Sequence, residues 1–199
     1  HAVAELVMYP KYHGGDAPPL EHIVGTFKHD LSRGRLPAAD FKKQCKRGED
    51  VLTAYYTSRK KFFLPDDAIE VDMKQEGVSV GNALLTGKID FLRTEDRAYH
   101  VLDWKTGRAY CDWDAPRQTD VDKVKLHKYK QQLIYYKILL EESSRYKLPV
   151  ETLALEFVES ILDSKTPVTL VYEPTEEEVI RLKKLIQAVY TKIVTLDFP

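Results

Sequence analysis

The stretch "YHVLDWKTGRA", residues 99–109, decides how the rest of the chain is read. Val101 and Leu102 make it apolar enough for a buried strand, yet it ends on Asp103 and Lys105. Side chains of an extended segment alternate faces with period two, so these two charges leave the same face. They form either a surface ion pair or half of an active site.

Working outward, residues 68–107 have the texture of strands. "AIEVDMKQE" alternates, "VSVGNALLTGKIDFLRT" follows across a short turn, and "RAYHVLDWKTG" comes after an "EDR" turn and is closed by Gly107. This predicts a three-stranded meander whose last member is the most apolar, as a central strand should be. The hairpins exclude a purely parallel doubly wound sheet.

The first third reads as helical. "HAVAELVM" is a short apolar helix broken by "YPKYHGGDAPP", and a second helix starts near Leu20 and ends around "SRGR". A third begins at Pro37, with Phe41, Val51, Leu52, Tyr55 and Tyr56 as its buried stripe. Lys42, Lys43, Lys46, Arg47, Arg59, Lys60 and Lys61 make its exposed side, which solvation alone explains.

After the polar loop "RAYCDWDAPRQTD" comes a helix whose apolar stripe is Leu126, Tyr129, Leu133, Tyr136 and Leu140. "TLALEFVES" and "TPVTLVYEP" are two further strands. The last helix opens with a capping box, Thr175 to Glu178, and is expected to turn Val179, Leu182, Leu185, Ile186, Val189 and Ile193 inward. The order helices, three strands, helix, strand, strand, helix is α/β with a mixed sheet.

Composition bounds the function. The 199 residues can bury a real core, and 43% hydrophobic with 31% charged residues is the balance of a globular protein. No apolar run is long enough for a transmembrane helix, and the start lacks the zones of a signal peptide. Without an initiator Met, the chain is expected to be a piece of something larger. Two cysteines, Cys45 and Cys111, exclude a disulfide framework and a four-cysteine iron–sulfur cluster, and a reducing cytoplasm is the default setting. The net charge is −1, with residues 1–150 mildly basic and 151–199 acidic, which by itself argues only weakly for a polyanionic partner.

"LLTGKIDFL" places Asp90 late in the apolar strand before Asp103. Antiparallel neighbours can bring both carboxylates to one end of the sheet. Such a pair is unfavourable unless a positive charge sits between them. A hard divalent cation that keeps several waters, Mg²⁺ or Mn²⁺, meets that need. Lys105 on the same face is then placed to orient a water or stabilise charge on a phosphate. Together these fit metal-assisted phosphodiester hydrolysis.

The ordered pieces "TGKIDFL … YHVLDWKTG … HKYKQQLIYY" resemble the PD-(D/E)XK nuclease superfamily, in its RecB-like branch. That branch carries G-x-[IV]-D, then D-[YW]-K-[TS], then Y-x-x-Q-L-x-x-Y, the last met by Tyr129, Gln132, Leu133 and Tyr136. The resemblance implies a restriction-endonuclease-like core, with a mixed β-sheet flanked by helices, over residues 68–199. Residues 1–67 would be a helical N-terminal part of the same single domain. It implies that Asp90 and Asp103 bind metal, that Lys105 is the catalytic lysine, and that the Trp104 carbonyl is a further ligand. Gln132, Tyr136, Tyr129 and Lys128 would touch DNA or steady the site, although Tyr136 also belongs to the apolar stripe. Gln131 sits round the helix and is expected to be solvated. Relatives carry a metal-binding histidine near the domain start, a position His1 can fill. His13, His22, His29, His100 and His127 have no such context.

The longer pattern, ending in "YEPTEEE … TLDFP", looks like the nuclease-type tail of bacterial UvrD/Rep-family DNA helicases. This implies helicase motor domains in the same parent chain and a bacterial cytoplasmic location. No G-x-x-x-x-G-K-[ST] loop is present, so this chain has no ATP site of that kind. The leading expectation is a Mg²⁺-dependent DNA nuclease domain, exonucleolytic, serving repair or recombination. Lys123, Lys125, Lys128, Lys130, Lys60 and Lys61 would guide the DNA backbone without reading sequence. The competing readings are a non-catalytic DNA-binding or scaffolding module of the same fold, and an unrelated α/β interaction domain with a surface ion pair.

Overall fold

A computed structural model describes residues 2–107 and 109–196. Its five-stranded sheet has the order β1-β4-β5-β6-β7, with β1 at Ala68–Asp72, β4 at Lys88–Glu95, β5 at Ala98–Lys105, β6 at Val150–Phe157 and β7 at Val168–Tyr172. The strand carrying Asp103 and Lys105 is therefore the middle one, as its apolar content foretold. The sheet is mixed and flanked by helices, with a helical N-terminus, an architecture consistent with the restriction-endonuclease-like fold. His1 lies outside the described residues.

The chain divides into two compact units. The first comprises residues 1–69, 104–111 and 156–169. Here α1 (Glu5–Tyr12), α2 (Leu20–Ser32) and α3 (Ala38–Arg59) bury Leu6, Val7, Ile23, Val24, Val51, Leu52 and Tyr55. Helix α1 does not end at Met8, as expected from the sequence, but runs on through Pro10, which is buried. Phe41 and Tyr56 are only half-buried, because the stripe of α3 is narrower than the spacing of its aromatics implied. Gly48 lets α2 and α3 close, since a Cβ there would stand 2.1 Å from Cζ of Phe27.

The second unit comprises residues 70–103, 112–155 and 170–199. Strands β4 and β5 pair antiparallel through Phe91↔Leu102 and Leu92↔Val101. Asp96 and Arg97, at φ 49° and 62°, form the tight turn between them, a backbone whose twist matches that of the paired strands. The run read as one strand before β4 breaks at Gly81 (φ 58°) into a separate hairpin, β2 (Ser79–Val80) with β3 (Ala83–Leu84). Helix α4 (Asp120–Glu141) starts on a reciprocal capping box of Thr119 and Asp122, and buries Leu126, Leu133, Tyr136 and Leu140, with Tyr129 half-buried. It packs closely on the start of β4, where a Cβ on Gly87 would meet Leu139 at 3.0 Å and Tyr135 donates to the Thr86 carbonyl at 2.8 Å.

Helix α6 (Glu176–Thr195) has the expected capping box of Thr175 and Glu178. Its apolar stripe corrects the expectation. No α6 residue is buried, and Leu185, Val189 and Ile193 are 47%, 48% and 51% exposed. Periodicity defines an apolar face but says nothing of what covers it.

Candidate functional site

The site is built on the end of the β4–β5 hairpin. The register given by Phe91↔Leu102, continued by one pair, sets Asp90 opposite Asp103. Directly opposed residues of an antiparallel pair hold their Cβ atoms about 4.5–5.5 Å apart on one face. Asp103 is 1% exposed, whereas Asp90 is half-buried. Flanking Ile89, Phe91, Val101 and Leu102 are buried, and they fix the strand ends that carry the two carboxylates.

Helix α4 supplies the third side. The Tyr136 hydroxyl donates to Asp103 Oδ1 at 2.9 Å, and Gln132 Nε2 donates to the Tyr136 oxygen at 2.9 Å. Gln132 and Tyr136 are four residues apart and thus stacked on one helix face, which makes this relay possible. Burial, and then the negative charge of Asp103, push the Tyr136 phenol far above its ordinary range, with a further contribution from Asp90. That hydroxyl therefore feels both carboxylates and remains a proton donor. The structure brings Gln132 and Tyr136 to the Asp pair, as the resemblance implied.

Lys105 and Trp104, both half-buried, end β5 and belong to the first unit. Two residues beyond Asp103 on one strand, Lys105 leaves the sheet on the same side. Tyr129 is half-buried with Lys125 Nζ 5.7 Å over its ring, and Lys128 is exposed. Of the other lysines expected to guide DNA, Lys123 pairs with Asp120 at 3.2 Å, Lys60 lies 5.3 Å over the Tyr56 ring, and Lys61 is exposed. Lys130 is turned between the rings of Trp113 and Tyr172, at 5.6 and 5.4 Å. Gln131, expected to be solvated, is half-buried and lines a cleft of about 420 Å³ with Lys130, Ile134, Tyr172 and Arg181. Three of the remaining histidines have local partners: His13 stacks on Tyr9, His22 meets Glu5 at 3.2 Å and His100 meets Thr152 at 3.0 Å.

Two carboxylates facing one another, with a neutral hydroxyl donor behind, suit a hard divalent cation that retains waters. Among the described residues no group of three or more His, Cys, Asp or Glu comes together as a metal cage.

A residue not foreseen is Glu156, 1% exposed on β6. It accepts hydrogen bonds from Tyr55 and Arg59, and from Thr169 at 3.3 Å. Its signal was a single carboxylate inside the apolar run "LALEFV".

A family model of the PD-(D/E)XK nuclease superfamily matches residues 8–199. The chain belongs to that superfamily, whose members are generally nucleases that use divalent metals. Comparison with curated proteins finds no match.

Proposed function

We propose that this chain is a divalent-metal-dependent deoxyribonuclease domain, acting as an exonuclease in DNA repair or recombination. The observation that carries this reading is Asp90 set opposite Asp103, with the Tyr136 hydroxyl answering to both. Asp90, Asp103 and the Trp104 carbonyl would hold Mg²⁺ or Mn²⁺, with His1 as an additional ligand. When bound, the ion supplies positive charge against the phosphate and its developing oxyanion.

The chain's own residues do the rest. Tyr136, steadied by Gln132, fixes the Asp103 carboxylate and consumes one of its lone pairs. Lys105 donates hydrogen bonds to the attacking water and to the phosphate, favouring the in-line geometry. Tyr129 and Lys128, with Lys123, Lys125, Lys60 and Lys61, lie along the DNA backbone and read no sequence. Residues 1–67 form the helical N-terminal part of the domain and 68–199 its nuclease core. The RecB-like motifs and the C-terminal pattern support a place beside the motor domains of a UvrD/Rep-type helicase in a bacterial cytoplasm.

Incubation of linear single- and double-stranded DNA with Mg²⁺ or Mn²⁺, wild type beside Asp103→Ala, tests the reading. Metal-dependent release of nucleotides by wild type, lost in the variant, is expected. Equal degradation by both, or none by either together with no metal binding, overturns it.

A further inference from the structure

Behind Trp104 lies a hydrogen-bonded chain that the proposed chemistry does not use. The Trp104 indole N–H donates to the Tyr55 oxygen at 3.1 Å, and the Tyr55 hydroxyl donates to Glu156. Arg59 and Thr169 also donate to that carboxylate. Tyr55 and Glu156 are fully buried, and all five residues belong to the first unit. Because a carboxylate can only accept, the Tyr55 O–H points at Glu156 and that oxygen's lone pairs are left toward the indole. Phe63, buried, packs edge-on against the same indole with centroids 6.2 Å apart.

A buried ion pair is a poor device for stability, since desolvating two charges offsets their attraction. It is better suited to fixing one orientation. What it orients here is the middle residue of Asp-Trp-Lys.

We propose that Tyr55, held by Glu156 and Arg59, is a positioning residue that fixes the Trp104 indole and thereby the backbone presenting Lys105. The inference rests on the nuclease reading above. Arg59 and Tyr55 come from α3 and Glu156 from β6, so one N-terminal helix and one strand together set the geometry of the strand end that carries the lysine.

The test compares kcat and KM on linear DNA for wild type, Tyr55→Phe, Trp104→Phe and the double variant, with Trp104 emission read in a Trp113→Phe background. Tyr55→Phe keeps the ring and removes only the hydroxyl. It is expected to lower kcat by about tenfold, as loss of a supporting partner does, with KM within about twofold and a displaced Trp104 emission maximum. Trp104→Phe removes the other end of the same bond, leaves the Tyr55–Glu156–Arg59 set intact, and should give the same loss. The double variant should be no slower than either, because one interaction is removed twice. A kcat within twofold of wild type in Trp104→Phe overturns the proposal, even if Tyr55→Phe fails to fold. So do losses that multiply in the double variant. Wild type that cleaves no DNA defeats the nuclease reading itself, before any variant is compared.

Discussion

The Tyr136 hydroxyl donates a 2.9 Å hydrogen bond to Asp103 Oδ1 and so ties helix α4 to the central strand. Tyr136→Phe keeps the buried ring and removes that donor. A buried acceptor that loses a partner costs about 1–3 kcal/mol, and supporting contacts of metal ligands are worth about 10–100-fold. Thermal melts should show that destabilisation, and Mn²⁺ titration should show affinity falling by that factor. Unchanged metal affinity contradicts the assignment.

Asp90 stands opposite Asp103 in the β4–β5 register and is proposed as a metal ligand, so Asp90→Asn should weaken Mg²⁺ binding. The same substitution should abolish the rise in Tm that Mg²⁺ gives wild type. Melts with EDTA and with Mg²⁺ read that effect from one pair of proteins.

Gly48 is needed for space rather than for conformation. Its Cβ would stand 2.1 Å from Cζ and 2.3 Å from Cε1 of Phe27. Gly48→Ala is expected to destabilise by about 1–3 kcal/mol through overpacking. Gly48→Ala combined with Phe27→Leu should recover part of it, as denaturant midpoints can show.

Glu178 gives the fold a pH dependence of definite sign. The Tyr172 hydroxyl, 2.6 Å away, holds its carboxyl below the ordinary 4.5, helped by the Thr175 backbone and hydroxyl and opposed by burial. The unfolded chain then binds the proton more readily, so stability rises with pH. The contribution is complete above pH 4.5 and is lost as pH falls through the lowered folded value. Wild type should melt above Glu178→Gln at pH 6, and the difference should shrink in the acid range.

Much of this was legible in the residues. The apolar run ending in Asp-Trp-Lys predicted the middle strand, and Gly107 and the turn at Asp96–Arg97 punctuated it. Thr175 and Glu178 announced the start of α6, whereas Thr119 with Asp122 passed unnoticed because a capping box is usually sought with Glu or Gln at that position. Strand register alone could pair Asp90 with Asp103, and helix spacing put Gln132 and Tyr136 on one face, but that the two sets meet was implied only by the family resemblance. Glu156 was not, since its partners Tyr55 and Arg59 are about a hundred residues away in the chain. The exposed face of α6 was misread for a related reason: what a helix packs on is a tertiary fact.

The most direct measurement is the initial rate of nucleotide release from end-labelled linear DNA at saturating Mg²⁺, for wild type and Lys105→Ala, with metal affinity measured on the same samples. The proposed function makes Lys105 the group that acts on water and phosphate. Its loss should slow cleavage by about 10²–10⁴-fold while Mg²⁺ binds as before. Equal rates in the two proteins contradict the account.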